Sequence, residues 1–321
     1  MRVLKFGGKS LDSKEKFKNV CEFIKEIYKT EKQLIIVVSA IGNTTNELLN
    51  LSEEFGNNKN SSNLELAKLL STGEIQSASL FSMRLNSIGV PAKSFSGKDI
   101  ELKTFGDYNN SRISYLNKSI LKKYLTKNIV AVVAGFQGVN SSGEITTLGR
   151  GGSDTTAVAL ATVFNVSAEI YSDYDGVFLG DPKENDFKKI NLLSFESMKQ
   201  MSKCGSKVID YRAISLAKNF KTKIISKSSS EPNKNGTIIS NLESDIISIS
   251  KTENLCKISI FFSNENKLNF IIKNVFLILN KYNFYNFSLN KNIIEFFILK
   301  ENTNEIYTLI SQKLNLINKN K

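Results

Sequence analysis

The first segment with residue types suited to phosphate chemistry is Lys-Phe-Gly-Gly-Lys-Ser at 5–10, where a short apolar run ends and a helical pattern begins. Paired glycines let backbone amides approach an anion closely, and the N-terminus of a following helix adds positive charge. The Lys5 ammonium can neutralise the oxygens of a phosphoryl group during transfer. The segment is not a Walker motif, and a tight turn is the alternative interpretation of Gly-Gly after a strand.

A second segment, Thr-Thr-Leu-Gly-Arg-Gly-Gly-Ser-Asp-Thr-Thr at 146–156, leads into an Ala-rich helical pattern. Arg150 lies between glycines in this segment, and a guanidinium held there suits bidentate capture of a carboxylate. Free amides at the start of the helix suit an anion. In the alternative interpretation, Ser153 or Asp154 simply caps the helix. Glycines, hydroxyls and an Arg together favour a functional loop.

The third segment, Ser-Asp-Tyr-Asp-Gly-Val-Phe-Leu-Gly-Asp-Pro-Lys at 172–183, follows a predicted strand. Ligands of parallel α/β sheets bind beyond the carboxyl ends of the strands, so a nucleotide could lie here. The Asp-x-Asp-Gly portion is similar to the start of a calcium loop, but the later ligands of such a loop are missing. Weaker signals are Ser39 with Thr44-Thr45-Asn46, Ser-Thr-Gly-Glu at 71–74 and Gly-Ser-Lys at 205–207.

Composition excludes several kinds of site and partner. The chain of 321 residues has no His, which excludes Ser-His-Asp and Cys-His nucleophile systems and imidazole-ligated zinc. Three dispersed Cys residues indicate a reducing cytoplasm and no metal box. The net charge of +12 comes mostly from scattered Lys, so we expect a solvated surface and no nucleic-acid partner. No signal peptide or membrane span is apparent.

Apolar runs typical of buried strands alternate with amphipathic helical patterns over the first 240 residues. The predicted strands are 3–6, 34–38, 129–134 and 168–171, and the predicted helices are 14–28, 63–88 and 154–164. This alternation predicts an α/β fold, a three-layer sandwich with a largely parallel central sheet. Residues 56–63 and 180–186 are predicted surface loops.

A turn-rich stretch at 228–245 predicts a domain boundary. We expect one domain at 1–242 and a second, small domain at 250–321. The second domain has the order strand, helix, strand, strand, helix, which indicates an α+β ferredoxin-like unit without its last strand.

Taken in order, these segments resemble aspartokinases of the amino acid kinase family. The resemblance spans residues 1–240. The nine-residue segment around Arg150 is similar to that of aspartokinases and less similar to those of carbamate, acetylglutamate and uridylate kinases. The matching motifs are Lys-Phe-Gly-Gly-Lys-Ser (5–10), Val-Val-Ser-Ala (37–40) with Thr45-Asn46, Thr-Gly-Glu (72–74), Gly-Phe-Gln-Gly (135–138), Thr-Thr-Leu-Gly-Arg-Gly-Gly-Ser-Asp (146–154), Ser-Asp-Tyr-Asp-Gly-Val (172–177), Asp-Pro-Lys (181–183), Gly-Ser-Lys-Val (205–208) and Gly-Thr-Ile-Ile (236–239).

The resemblance implies ATP-dependent phosphorylation of the side-chain carboxylate of L-aspartate, giving 4-phospho-L-aspartate and ADP. This reaction is the first step of the aspartate pathway to lysine, threonine, methionine and diaminopimelate. Because a carboxylate nucleophile is already ionised near neutral pH, the reaction needs no general base, and the absence of His is consistent with it. Mg²⁺ would be held mainly by the ATP phosphates, with no metal site of the protein's own.

The resemblance also implies a role for each matching position. Lys5 would stabilise the transferring phosphoryl group, and Asp154 would orient Lys5. The aspartate pocket would consist of Arg150 for a substrate carboxylate, Glu74 for the ammonium, and the hydroxyls of Ser39 and Thr45. The implied ATP-binding residues are Lys5, Gly7, Gly8, Ser10, Ser172, Asp173, Phe178, Asp181, Lys183 and Lys207.

The sequence departs from the family pattern near the ATP site and in the C-terminal portion. Lys9 replaces Thr, Phe178 a common Tyr, Lys183 the Arg of Asp-Pro-Arg, and Asp210-Tyr211 a His-Pro pair. Aspartokinases usually carry two ACT modules that bind lysine or threonine and mediate dimerisation, whereas residues 250–321 suffice for a single, truncated ACT-like domain. We expect a homodimer with weak feedback control, and the alternatives are a kinase for another acidic substrate or a non-catalytic amino-acid sensor.

Overall fold

The computed structural model describes residues 1–56, 62–178, 189–203, 206, 208–241, 255–261, 268–290 and 293–318. Asp181, Lys183 and Lys207 therefore lie outside the described residues, as do most of the two predicted surface loops. The described strands are β1 (Arg2–Phe6), β2 (Leu34–Val38), β3 (Ala92–Phe95), β4 (Lys103–Phe105), β5 (Arg112–Tyr115), β6 (Val130–Ala134), β7 (Gln137–Val139), β8 (Ile145–Thr147), β9 (Ala168–Ser172), β10 (Val177–Phe178), β11 (Lys189–Ile190), β12 (Leu192–Ser194), β13 (Ile224–Ser228), β14 (Thr237–Ser240), β15 (Leu255–Phe261), β16 (Phe284–Asn290) and β17 (Ile293–Leu299).

Helices alternate with these strands in the first 240 residues and flank the strands of the C-terminal portion. The described α-helices are α1 (Lys14–Thr30), α2 (Thr44–Glu54), α3 (Asn63–Ser87), α4 (Lys118–Leu125), α5 (Gly152–Phe164), α6 (Phe195–Lys203), α7 (Tyr211–Phe220), α8 (Leu268–Leu279) and α9 (Thr303–Asn318). None of the helices in the described ranges is long and apolar enough to cross a membrane.

The central sheet has the strand order β12-β14-β13-β9-β1-β2-β6-β3. Every neighbouring pair is parallel except β13 and β14. Strands β2 and β6 are buried along their whole length, as expected for parallel strands covered on both faces. Helices α4, α5 and α7 contribute core residues on one face, and helices α1 and α3 on the other. The predicted three-layer α/β architecture is confirmed.

A second sheet, with the order β5-β4-β7-β8, was not predicted from the sequence. Its strands have three or four residues each and pair antiparallel, apart from β4 with β7. Strand β7 comes two residues after β6 of the central sheet, and β8 ends just before the segment that contains Arg150. This small sheet therefore sets where the Arg150 segment begins.

The chain divides into two compact units, Met1–Ser250 and Lys251–Lys321. The second unit has a sheet of order β15-β17-β16 with antiparallel pairs, and α8 and α9 supply its core together with that sheet. The order strand, helix, strand, strand, helix agrees with the α+β pattern expected from the sequence. In the first unit, the elements named from the sequence agree with the observed ones to within two residues at each end.

Candidate active site

The candidate site is a pocket at the carboxyl ends of β1 and β2, beside the N-terminus of α5. Its volume is about 210 Å³. All six residues that the resemblance assigned to catalysis or aspartate binding line it: Lys5, Ser39, Thr45, Glu74, Arg150 and Asp154. The remaining lining residues are Phe136, Gly149, Gly151, Gly152 and Ser153. Residues up to 149 positions apart in the sequence thus meet in one cavity.

A larger concavity, of about 420 Å³, lies between α1 and the loop that contains Pro232. Glu22 and Glu26 contribute its only charged side chains among the described lining residues, and the rest of the lining is apolar or neutral. Glu22 is paired with Arg84 and Glu26 with Lys29, but no cationic side chain belongs to the described lining. The concavity therefore offers no excess positive charge to a phosphate and does not fit the chemistry that the sequence indicates.

A buried ion pair lies at the base of the pocket. Lys5 Nζ is 2.6 Å from Asp154 Oδ1, and the two residues are only 9% and 7% exposed. Lys5 is on β1, the strand between β2 and β9, whereas Asp154 is in the first turn of α5. Because this salt bridge fixes a flexible ammonium in one place, it can present a positive charge to the pocket.

The Gly7-Gly8 turn follows β1 directly and packs closely against the segment after β2. A Cβ added at Gly8 would lie 2.5 Å from the carbonyl oxygen of Ala40, so only glycine fits there. The Gly7 N–H donates to the carbonyl of Tyr171 at 3.3 Å and is therefore occupied in this structure. A Cβ at Gly7 would lie 3.5 Å from Lys5 Nζ, which places the Lys5 ammonium beside the turn.

Glu74, midway along α3, is a second acidic residue in the lining of the pocket. It is 3% exposed, and its Oε1 accepts a hydrogen bond from the N–H of Ala40 at 3.1 Å. Its Oε2 is buried without a hydrogen-bond partner among the described residues. Burial raises the pKa of Glu74 from 4.5 to about 7, and the hydrogen bond from Ala40 opposes the rise. A cationic donor such as an ammonium would satisfy the unpartnered oxygen.

Arg150 lies in a glycine turn at the mouth of the pocket. Gly149 and Gly151, on either side of it, have φ values of +70° and +69°, in the left-handed region that glycine adopts without strain. Arg150 is exposed, and its side chain makes no ion pair with another described residue. The guanidinium is therefore available for a ligand carboxylate.

The nucleotide-side residues are described only in part. Ser172 is the last residue of β9, Asp173 follows it, and Phe178 ends the short strand β10. Lys9 Nζ lies 3.9 Å from Asp173 Oδ2, so the Gly-Gly segment and the loop after β9 face each other. Ser10 is 2% exposed, and its hydroxyl has no hydrogen-bond partner among the described residues.

Two site residues were missed by the reasoning from sequence. Phe136 has a φ of +71°, and its backbone joins α5 to the Arg150 turn, since its N–H donates to Thr156 Oγ1 and its carbonyl accepts from Leu148 N. A bulky residue in this conformation is strained, which is common at functional sites. The Gly-Phe-Gln-Gly segment was the available signal for Phe136. Arg212, which contacts the Arg150 turn from outside the pocket, had no signal beyond the rarity of Arg in the chain.

The fold and the pocket define a class of protein, a three-layer α/β protein whose ligand pocket opens at the carboxyl ends of parallel strands. The model of the amino acid kinase family matches residues 1–226, and the chain belongs to this family.

Curated relatives include aspartokinases from several bacteria. The chain is 39% identical over 239 residues to the aspartokinase of Geobacillus stearothermophilus, covering 74% of this chain and 58% of the relative. It is 40% identical over 247 residues to that of Corynebacterium glutamicum, covering 76% and 58%. The chain therefore spans less than two thirds of the length of these relatives.

Solved structures share the fold. The structure of E. coli aspartokinase III in complex with aspartate and ADP has a TM-score of 0.76 at 20% identity, covering 93% of this chain and 79% of that chain. Aspartate kinase from Synechocystis has a TM-score of 0.65 at 28% identity, covering 97% and 55%.

Proposed function

We propose that this chain is an aspartate kinase, which transfers the γ-phosphoryl group of ATP to the side-chain carboxylate of L-aspartate. One observation carries the proposal: a single small pocket holds a buried Lys–Asp pair, a buried carboxylate with one oxygen free of hydrogen bonds, and a guanidinium that pairs with no other described residue. These groups complement a transferring phosphoryl group, an ammonium and a carboxylate, respectively. The aspartokinase relatives support the same substrate.

In the proposed reaction, a side-chain carboxylate oxygen of aspartate attacks the γ-phosphorus of ATP. The bond between the γ-phosphorus and the β–γ bridging oxygen breaks, and ADP leaves with the electron pair. No proton has to be removed, because the nucleophile is already ionised. Lys5, held by Asp154, neutralises charge on the transferring group, while the pocket walls align the two substrates.

Aspartate recognition is assigned to groups with complementary charge. Arg150 would bind the α-carboxylate, and Glu74 would accept hydrogen bonds from the ammonium. The hydroxyls of Ser39 and Thr45 line the same pocket and would complete the contacts. Because an ammonium beside Glu74 favours its ionised form, aspartate binding would lower the pKa of Glu74.

The ATP side is assigned to the Gly-Gly turn and the loop after β9. The proposed residues with Lys5 are Gly7, Gly8, Ser10, Ser172, Asp173 and Phe178, together with Asp181, Lys183 and Lys207 outside the described residues. The bond from Gly7 to Tyr171 would have to be exchanged if the Gly7 amide is to reach a phosphate. Mg²⁺ would be held mainly by the ATP phosphates, because this ion gives up its water ligands reluctantly and binds few protein groups in such sites.

The remaining parts of the proposal concern organisation. Residues 1–242 would form the catalytic domain and residues 250–321 a single ACT-like domain, in a cytoplasmic homodimer. The order β15-β17-β16 with two helices supports the second assignment. The enzyme would catalyse the first step towards lysine, threonine, methionine and diaminopimelate.

A coupled ADP-release assay tests the proposal. We expect turnover that depends on L-aspartate and exceeds that with glutamate or acetylglutamate. Lys5→Ala should abolish turnover, and Arg150→Ala should raise the KM for aspartate. Lys29→Ala, which removes an exposed ammonium on α1, is the matched control and should leave both constants unchanged. Well-folded protein that releases no ADP with aspartate would contradict the proposal and favour a non-catalytic sensor.

A further inference from the structure

The turn that carries Arg150 is held from outside the pocket by a second arginine. Arg212, in the first turn of α7, donates from Nη1 to the carbonyl of Leu148 at 2.7 Å and from Nη2 to the carbonyl of Arg150. Nη1 also donates to Asn110 Oδ1 at 2.7 Å. One guanidinium thus bonds the main chain on both sides of Gly149, and its side chain is only 11% exposed.

The turn needs such support because its own backbone is permissive. Glycines flank Arg150 on both sides at positive φ, and glycine has more conformational freedom than any other residue. The bonds that close the turn itself are Leu148 N to Phe136 O and Gly152 N to Gly149 O. The Arg150 side chain is unpaired among the described residues, so the backbone beneath it determines where its guanidinium lies.

Asp210 fixes Arg212 and connects it to the base of the pocket. Asp210 Oδ1 accepts from the backbone N–H of Arg212 at 2.9 Å, as the N-cap of α7, and from Arg212 Nε at 3.3 Å. The Asp210 N–H donates to Asp154 Oδ2 at 3.4 Å. A Cβ at Gly151 would lie 2.0 Å from Asp210 Cβ, so the turn packs directly on this residue.

We propose that Arg212, held by Asp210, is a positioning residue that sets the Arg150 turn for capture of the substrate α-carboxylate. The inference rests on the proposed function, because it assigns Arg212 a part in aspartate recognition. Arg212 lines no part of the described pocket, so its effect passes through Arg150. A planar guanidinium is required, since it reaches several acceptors at fixed angles and a Lys ammonium does not.

The test combines kinetics with a double-mutant cycle. Arg212→Ala should raise the KM for aspartate by about tenfold or more, as expected for a misplaced binding group, and change the KM for ATP by less than about twofold. In an Arg150→Ala background, the same change should alter the KM for aspartate by less than about twofold, because the residue through which it acts is absent. Arg84→Ala, which removes an arginine paired with Glu22 on the surface, should match wild type.

Arg212→Lys distinguishes the effect of the planar guanidinium from the effect of the positive charge. It also provides a second test if Arg212→Ala does not fold. It keeps the positive charge but cannot bond both sides of Gly149, so its KM for aspartate should stay raised. A wild-type KM in Arg212→Lys would overturn the proposal, as would an effect of Arg212→Ala that is equally large with and without Arg150.

Hydrogen exchange distinguishes failure of this inference from failure of the proposed function. The amides of Leu148 and Gly152 should exchange faster in Arg212→Ala than in wild type, with or without any substrate, because the turn has lost its brace. Unchanged exchange at both amides would refute the bracing role. Wild-type protein without aspartate-dependent turnover would contradict the proposed function. In that case, hydrogen exchange alone would still show whether Arg212 holds the Arg150 turn in place.

Discussion

Glu74 lowers the stability of the substrate-free protein at high pH, and Glu74→Gln should relieve that cost. Burial raises the pKa of Glu74 from 4.5 to about 7, so the folded state holds this proton more tightly than the unfolded chain does. This loss of stability is absent below the pKa of Glu74 in the unfolded chain and grows between the unfolded and folded pKa values. It is complete above the pKa of Glu74 in the folded state. The contribution of Glu74 to the stability of wild type therefore falls as pH rises from about 4.5 to about 7.

The magnitude follows from the two pKa values. Each tenfold difference in proton affinity is worth about 1.4 kcal/mol, so the raised pKa of Glu74 lowers the free energy of unfolding by about 1 kcal/mol at pH 5 and about 3 kcal/mol at pH 8. The stability advantage of Glu74→Gln over wild type should grow by about 2 kcal/mol between these pH values. Any cost of the amide itself, such as a weaker bond from Ala40, is independent of pH and cancels in the difference.

Urea unfolding of both proteins at pH 5 and pH 8 measures this difference. Glu65→Gln is the matched control, at the exposed start of the same helix. The difference in stability between this variant and wild type should change by less than about 0.5 kcal/mol between pH 5 and pH 8. Saturating aspartate should shrink the pH dependence of wild type, because an ammonium beside Glu74 favours the ionised form. An equal pH dependence in wild type and Glu74→Gln would refute the reasoning.

Three further substitutions test the packing of the Gly-Gly turn and the buried hydrogen bonds of Thr237. Gly8→Ala should lower the free energy of unfolding by about 1–3 kcal/mol and raise the KM for ATP, because its Cβ would clash with the Ala40 carbonyl. Gly7→Ala meets only an ordinary contact and should cost less stability, so an equal loss in the two unfolding curves would contradict the packing argument. Thr237→Val should cost about 2–4 kcal/mol, since the buried hydroxyl accepts from Val177 N at 2.8 Å and donates to the carbonyl of Ile190, and both partners would be left unpaired. Denaturant unfolding of that variant checks the loss, and a wild-type midpoint would contradict it.

The central sheet was predictable because its strands are apolar on both faces. Residues 34–38 and 130–134 are continuous apolar runs, which parallel strands covered by two helical layers require. The small sheet of β4, β5, β7 and β8 escaped prediction, since its strands are three or four residues long and carry polar residues. Helix α2 was also missed, because it has no buried residue and hence no clear apolar stripe.

The pocket residues were predictable where a local motif carries them, and their supporting contacts were not. Lys5, Glu74 and Arg150 each lie in a segment with unusual glycines or hydroxyls. Arg212 bonds carbonyl groups more than 60 positions earlier in the chain, and its own segment differs little from any surface helix. Backbone carbonyls exist at every residue, so no sequence pattern marks the ones that an arginine will bind.

Strand β1 lies between β2 and β9, which has a consequence for synthesis of the chain. The partner on one side is finished by residue 38, whereas the partner on the other side ends at residue 172. At roughly 5–20 residues per second, β1 waits about 10–30 s during synthesis with the backbone N–H and C=O groups of one edge unpaired. The strand that supplies Lys5 is thus made well before one of its two partners, and during that interval its open edge can pair with other strands.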